Sequence, residues 1–337
     1  MTAAVDDLCA NFIERANTVA TRRRSCAVGP LPLRLRAADP GELDHIAEHV
    51  RASRTTHWPA IEIITVSAES VDPSIIPREL RPDGRETLVA RGDRVTAVAN
   101  GHEDSFWVLD AEHGRAIRWV RDADDLPYGE LVSPLSLAVR WWATSNNLGA
   151  LVHSGCVANA DGAMLLVGNS GAGKSTSVMA CLDTAGLTVH GDDQTLIEMT
   201  DQDAMAHPVY RLAKLVPNSI DLLPHLADRV VNMGRHGKAL LDLPVGALDA
   251  VPVRGIMLVV QSAGQGTRIE PCSRVEVLKA LGVSTFFQLS VGREATWEAT
   301  TQLVRKSPCH LLLVDQPEEV PTVVAAALRD DAILTRR

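Results

Sequence analysis

A glycine-rich octet near the middle of the chain has the residue types and spacing of a phosphate-binding loop. It reads Gly168-Asn169-Ser170-Gly171-Ala172-Gly173-Lys174-Ser175. Glycines let a backbone curl around a polyphosphate with its N–H groups pointing inward. In such loops the lysine reaches the β- and γ-phosphates, and the serine hydroxyl binds Mg²⁺. The octet therefore predicts a nucleoside triphosphate site.

The residues on either side of the octet have the periodicity that such a loop needs. The apolar run 163–167 predicts a buried strand, and an amphipathic stretch opens at Thr176 and predicts a helix from Ser175 to a glycine at 186. A helix that begins near Lys174 adds the positive end of its dipole to the phosphate site. A glycine-rich turn that binds nothing is the alternative. The preceding strand, the spacing of the residues in the octet and the Lys-Ser pair together favour the nucleotide site.

Two adjacent carboxylates, Asp192 and Asp193, follow the next predicted strand, residues 187–191. A strand–helix–strand crossover puts the two strands side by side with their carboxyl ends at one edge, so we expect the pair near the triphosphate. Carboxylates there can hold Mg²⁺ or accept the proton of an attacking hydroxyl. A like charge alongside raises the pKa of the less solvated carboxylate. An acidic turn that caps the next element is the alternative.

Composition and charge narrow the class of partner. The 337 residues allow two domains, and 46% apolar with 22% charged residues is ordinary for a globular protein. A formal net charge of −9 disfavours nucleic acid as a partner. The sequence has no run of 18 apolar residues, so it predicts no membrane span. Six scattered cysteines and an acidic N-terminus without a secretory pattern lead us to expect a cytoplasmic protein.

Two kinds of periodicity divide the chain. Residues 1 to about 54 predict two helices, 3–20 and 41–53, around an arginine-rich turn, and residues 60–121 predict short strands of an antiparallel meander. Ser133 and Pro134 begin a predicted bridging helix over 133–147. We predict an N-terminal α+β domain, 1–140, that recognises a substrate or is regulatory, and a phosphate-loop domain, 146–337.

From residue 148 onward the order of motifs resembles the catalytic domain of HPr kinase/phosphorylase and its kinase-like relatives. That family has a strand ending in histidine, a phosphate loop, a helix, a glycine, a strand and an Asp-Asp pair. Here these are His153, the octet 168–175, Gly186 and Asp192-Asp193. The resemblance covers roughly residues 148–325, and its specific motifs lie in the first 50 residues of that range. The N-terminal 140 residues do not look like the regulatory domain of that family, so the acceptor stays open.

The resemblance implies a fold and an activity. The fold is α/β, a P-loop kinase domain of the HPr kinase and phosphoenolpyruvate carboxykinase type. The activity is an ATP- and Mg²⁺-dependent kinase that transfers the γ-phosphoryl group to a hydroxyl of a peptide or protein serine, or of a small metabolite. We also expect a homo-oligomer.

The resemblance also assigns roles to residues. Lys174 and the octet hold the phosphates, and Ser175 with Asp193 binds Mg²⁺. Asp192 is the favoured base, and His153 lies near the acceptor, although a satisfied strand-end histidine is an equal alternative. Further cations that can neutralise transition-state charge are Arg211, Lys214 and Lys238, the last in the run Arg235-His236-Gly237-Lys238.

A nucleotide sensor without catalysis, or a slow ATPase, is the alternative function. It needs the phosphate loop and can dispense with a base. The Asp-Asp pair is therefore the sequence feature that favours the kinase.

Overall fold

The computed structural model describes residues 2–81, 87–101, 104–123, 125–126, 128–233, 237–244, 248–286 and 289–330. Within these ranges the chain is a mixed α/β protein with three sheets. The α-helices are α1 (Thr2–Val19), α2 (Pro40–His49), α3 (Tyr128–Val132), α4 (Ser136–Ser145), α5 (Lys174–Ala180), α6 (Pro217–Leu222), α7 (Arg274–Phe286), α8 (Arg293–Lys306) and α9 (Val320–Arg329). The strands are β1 (Arg22–Val28), β2 (Leu31–Ala37), β3 (Ile61–Ser67), β4 (Thr87–Arg91), β5 (Val95–Asn100), β6 (Ser105–Asp110), β7 (Arg115–Val120), β8 (Gly149–Val152), β9 (Gly155–Asn159), β10 (Gly162–Val167), β11 (Thr188–Gly191), β12 (Thr195–Met199), β13 (Ala204–His207), β14 (Leu212–Leu215), β15 (Val230–Met233), β16 (Ala239–Asp242), β17 (Val251–Gln261), β18 (Arg268–Pro271) and β19 (Cys309–Val314).

The N-terminal sheet has seven strands in the order β1-β2-β3-β7-β6-β5-β4. Strands β4 to β7 are antiparallel neighbours, while β3 runs parallel to both β7 and β2. β1 and β2 correct the predicted turn between two helices. Leu31, Leu33 and Leu35 alternate with less buried residues along β2, which is the period of a half-buried strand. The arginine-rich run is exposed on β1, the edge strand.

Two predicted helices have different bounds. The helix predicted over 41–53 ends at His49, because Val50 is extended and Val50, Ala52 and Ser53 form β-bridges instead. The helix predicted from Ser133 begins at Ser136, because Leu135 before it has a left-handed backbone with φ 63°. A separate short helix, α3, lies ahead of it.

The second sheet positions the octet. Its main path is β11-β9-β10-β17-β13-β12-β8, with β19 beside β17 and β18 beside β19. β9 pairs antiparallel with both β10 and β11, so these two run in one direction and end at one edge, but they are not side by side as predicted. The reason is that both edges of β10 are taken. β9 and β10 form a hairpin whose turn is closed by the Asn159 side chain, and β17 pairs with the other edge of β10, so β11 pairs with the outer edge of β9.

Both faces of β10 are covered. Its residues 163, 165 and 167 pack in one apolar cluster with Val277 of α7 and Leu303 of α8. Residues 164 and 166 face the other side, towards Met179 of α5 and Val324 of α9. A strand buried on both faces reads as a continuous apolar run, which confirms the predicted strand at 163–167. In the described part of the chain, none of the helices has the length and apolarity needed to cross a membrane.

One apolar cluster crosses the predicted domain boundary. It includes Leu33 and Trp107 of the N-terminal sheet together with Leu196, Tyr210 and Val291 from beyond residue 146. The division into 1–140 and 146–337 stays a prediction, and residues 331–337 of the second range lie outside the described residues.

Candidate functional site

The octet connects the end of β10 to the start of α5. Gly171 and Gly173 have φ values of +81° and +89°, where a Cβ atom is strained. A Cβ at Gly173 would also lie 2.9 Å from Nε2 of Gln261. The Ala172 N–H donates to the Asn169 carbonyl at 3.2 Å and closes the turn. The backbone therefore requires the glycines at 171 and 173.

α5 is shorter than predicted. It ends at Ala180, and Asp183, with φ 63°, interrupts any continuation towards Gly186. The Thr176 hydroxyl lies 2.7 Å from that of Ser219, which ties the first turn of α5 to α6. The start of the helix is thereby held against the neighbouring wall of the site.

A cavity of about 690 Å³ lies in front of the octet, and we call it the loop cavity. Most predicted site residues line it: Asn169, Ser170, Gly171, Gly173, Lys174, Ser175, Thr176, His153, Asp193, Lys214 and Lys238. Gly168 and Ala172 of the octet are not among its lining residues. Ala172 lines a neighbouring cavity on the other side of the loop.

Four of these side chains contact one another in a row. Lys174 Nζ lies 2.8 Å from His153 Nε2, and the same nitrogen of His153 is 3.7 Å from Asp193 Oδ1. Lys214 Nζ donates to Asp193 Oδ2 at 2.6 Å. Burial lowers the pKa of Lys174, and the two nearby aspartates oppose that shift. The fold thus brings together residues that follow β8, begin α5, follow β11 and lie on β14.

The two aspartates differ in access and in pKa. Asp193 lines the loop cavity with a left-handed backbone, φ 69°. Burial acts to raise its pKa, but the charges of Lys214, His153 and Lys174 outweigh burial and lower it. Its neighbour Asp192 is 3% exposed and does not line the cavity.

Asp192 is held from behind the cavity wall. Its Oδ2 accepts the Lys214 backbone N–H at 3.2 Å, and its Oδ1 is buried with no hydrogen-bond partner in the described part of the chain. Burial, and then the charge of Asp193, raise its pKa. The structure therefore places Asp193 on the cavity and Asp192 behind it, while Asp192 as the base and Asp193 as the metal ligand stay predictions.

The two remaining predicted cations differ in whether they line the loop cavity. Lys238 lines the loop cavity, although residues 235–236 of its run lie outside the described residues. Arg211 does not line it: it is paired with Asp242 and donates to the Glu48 carbonyl at 3.2 Å. The prediction of Arg211 as a phosphate contact is not supported by its position.

Five polar residues that line the loop cavity were absent from the sequence prediction: Ser177, Asn218, Ser219, Gln261 and Ser284. Gln261 ends β17, the parallel neighbour of β10, and Ser219 lies in α6. The signal for Gln261 was available, because a polar residue follows the apolar run 256–260 and parallel strands end at one edge. Ser219 had no such signal.

Two residues predicted to bind Mg²⁺ are present at the loop cavity. Ser175 and Asp193 line the same cavity and offer oxygen ligands, which Mg²⁺ prefers. The described residues contain no group of three or more His, Cys, Asp or Glu side chains arranged to hold a metal ion. Mg²⁺ in phosphate sites takes one or two carboxylates and completes its shell with water and substrate phosphates. The pair fits that kind of site.

Comparison with known proteins adds little to this geometry. No family model matches the chain, and no curated protein matches it. Among solved structures, the chain is similar to the HPr(Ser) kinase/phosphatase from Coxiella burnetii at 10% identity, over 54% of this chain and 96% of that chain, with a TM-score of 0.28. A TM-score this low does not establish a shared fold. The family resemblance stays a prediction, and the function must be argued from the cavity.

Proposed function

We propose that the chain is a phosphotransferase that moves the γ-phosphoryl group of a nucleoside triphosphate to a hydroxyl of a peptide, protein or small molecule. The convergence of Lys174, His153, Asp193 and Lys214 at one end of the octet supports this. ATP as the donor follows from the resemblance. A loop that only binds nucleotide needs cations, whereas a carboxylate held among them on the cavity wall suits proton transfer.

Binding of the donor is the task of the octet and its cations. The loop cavity contains Lys174, Lys214 and Lys238 against the single carboxylate of Asp193 among its described lining residues. An excess of positive charge in a concave site attracts a polyphosphate. Ser175 and Asp193 are the residues that would hold Mg²⁺, and its charge would neutralise the donor phosphates.

The acceptor oxygen forms a bond to the γ-phosphorus while the bond from that phosphorus to the β–γ bridging oxygen breaks. The leaving oxygen keeps the electron pair, and the proton of the acceptor hydroxyl passes to Asp193. Lys214 holds this carboxylate ionised, since its charge lowers the pKa of Asp193 against the effect of burial. Positioning and charge neutralisation carry most of the catalysis in such reactions.

The test is transfer of label from γ-labelled ATP to a panel of hydroxyl compounds. Label in an acceptor supports the kinase, and label only in free phosphate supports the alternative ATPase or sensor. Lys174→Met should abolish both ATP binding and transfer, because the loop loses its phosphate contact. Lys306→Met is the matched control, since Lys306 is exposed on α8 and its ammonium donates to the Thr200 and Asp201 carbonyls. Wild-type affinity for ATP in Lys174→Met would contradict the assignment of the octet as the nucleotide site.

A further inference from the structure

A second cavity, of about 1080 Å³, meets the loop cavity at Asp193 and Lys214, which line both. Its other walls come from β4 and β5, from α3 and α4, and from the segment 289–293 that leads into α8. Asp193 therefore stands between the cavity that contains the octet and a cavity on the side of the N-terminal sheet.

The described residues that line this second cavity carry an excess of positive charge. Four are cationic and two are anionic: Arg91, Arg140, Lys214 and Arg293 against Glu130 and Asp193. Both carboxylates already face a cation. Asp193 accepts from Lys214, and Glu130 lies 3.6 Å from Arg118, which is not a lining residue. The cavity is thus an environment for anions.

One of its arginines occupies a position that the fold itself does not favour. Arg293 is the first residue of α8, where the helix dipole disfavours a cation. A position that lowers stability in this way is typical of a residue kept for a ligand. Arg140 is 5% exposed on α4, and burial lowers its pKa to about 10, so it remains cationic at neutral pH.

A buried amide lines the same cavity. Gln194 follows Asp193, is 8% exposed, and its Oε1 has no hydrogen-bond partner within the described ranges. Leaving such an oxygen without a donor costs free energy. A hydroxyl or N–H of a bound ligand can supply the donor.

We propose that the second cavity binds the phosphoryl acceptor and that this acceptor is anionic, with a carboxylate or phosphate near the hydroxyl that is phosphorylated. The proposal rests on the proposed function, because Asp193 then serves as base between donor and acceptor. Arginine forks match the geometry of carboxylate and phosphate groups. A neutral hydroxyl compound offers no such group to Arg91 and Arg293.

The test compares anionic acceptors with their neutral counterparts, using the full chain and γ-labelled ATP. The panel pairs hydroxy acids with their amides, sugar phosphates with the free sugars, and acidic serine peptides with fully amidated ones. We expect at least one anionic compound to be labelled with a kcat/KM at least about tenfold above its counterpart. The class that is labelled identifies the source of the negative charge.

Two arginine variants test the cavity itself. Arg293→Gln and Arg91→Gln replace exposed side chains, so both variants should fold, and we expect the KM of the anionic acceptor to rise at least about tenfold at unchanged ATP affinity. Arg305→Gln on α8 and Arg94→Gln before β5 are controls that do not line the cavity. An unchanged KM in both test variants, or equal use of the neutral counterparts, would overturn the proposal.

Failure of this proposal is distinguishable from failure of the proposed function. Transfer to neutral hydroxyl compounds alone would leave the kinase standing and reject the anionic acceptor. If no compound is labelled, calorimetry of the anionic panel decides. Binding that weakens in Arg293→Gln supports the anion cavity without the kinase, and no binding of any anion rejects the cavity.

Discussion

Two histidine–carboxylate pairs lie around the same nine-stranded sheet, and they differ in what surrounds them. His153 and Asp193 follow the last residues of β8 and β11, and they line a cavity together with Lys174. His207 and Glu198 lie within the neighbouring strands β13 and β12, with Nε2 and Oε2 3.0 Å apart. The first pair follows the ends of two strands and borders a cavity. The second pair lies within two strands that pair with each other.

Protein groups surround the second pair. Ser53 Oγ lies 2.8 Å from His207 Nδ1, and the indole N–H of Trp58 donates to Glu198 at 2.9 Å. His57 Nε2 lies 2.7 Å from the same carboxylate. The order serine, histidine, glutamate is that of a hydrolase triad, but Ser53 is 4% exposed and the His207 side chain is fully buried. This cluster joins residues 53–58 to the β12–β13 hairpin.

The difference shows that residue types and hydrogen-bond order do not by themselves make a reactive site. The two carboxylates differ in their access to a cavity: Asp193 lines two cavities, and Glu198 lines neither of them. Changes at the first pair should therefore alter activity, and changes at the second should alter stability.

The largest expected effect is on activity. Asp193→Asn should lower phosphoryl transfer at least about 10²-fold, because the neutral amide cannot take the acceptor's proton. ATP affinity measured without Mg²⁺ should change little, since Lys174 and the octet remain. Transfer kinetics and calorimetry check the two parts. Asp201→Asn, at an exposed turn, is the control, and full activity of Asp193→Asn would place the base elsewhere.

The next effect is on stability. Glu198→Gln should lower the free energy of unfolding by about 1–3 kcal/mol, because buried donors lose a charged acceptor. Urea unfolding measures it, with Glu318→Gln, an exposed change, as the control. Transfer by the folded variant should stay close to wild type. A variant of unchanged stability that has lost transfer would contradict the division between the two pairs.

The pH dependence of stability gives this prediction a second readout. Burial acts to raise the pKa of Glu198, but hydrogen bonds from His207, Trp58 and His57 outweigh it and lower the pKa to about 2. Between that value and the ordinary 4.5, the unfolded chain binds a proton that the folded chain does not. Stability from Glu198 is thus present above the ordinary range and lost as pH falls towards 2. The Gln variant should lack this slope.

The smallest expected effect has the opposite sign. Asp192→Asn should stabilise the fold at neutral pH by up to about 1 kcal/mol, because it removes a buried charge that its surroundings disfavour. The raised pKa of Asp192 means that wild-type stability falls as pH rises above the ordinary aspartate range. The Asn variant should not show that fall in urea unfolding. A 10²-fold loss of transfer instead would return the base role to Asp192.

Much of the loop region was predictable because its signals are local. The apolar run 163–167, the glycines and Lys174 are contiguous, and their order alone predicts strand, loop and helix start. β1 and β2 were not predicted, although leucine alternates with proline or arginine over 31–36, because the arginine-rich run and the Gly29-Pro30 pair beside it are also typical of a turn. The end of α5 depended on the left-handed backbone at Asp183, and no residue pattern predicts that conformation.

The sequence by itself determined that a phosphate-type loop sits between a buried strand and a helix, and that two carboxylates follow a strand ending at the same edge. Only the tertiary structure decided that Asp193 rather than Asp192 lines the cavity, that Arg211 points elsewhere, and that Asp193 borders a second, arginine-rich cavity. The physical reason is range. A loop closes through backbone angles of adjacent residues, whereas a cavity wall is assembled from elements far apart in the chain, and burial there sets which carboxylate is exposed and which is charged.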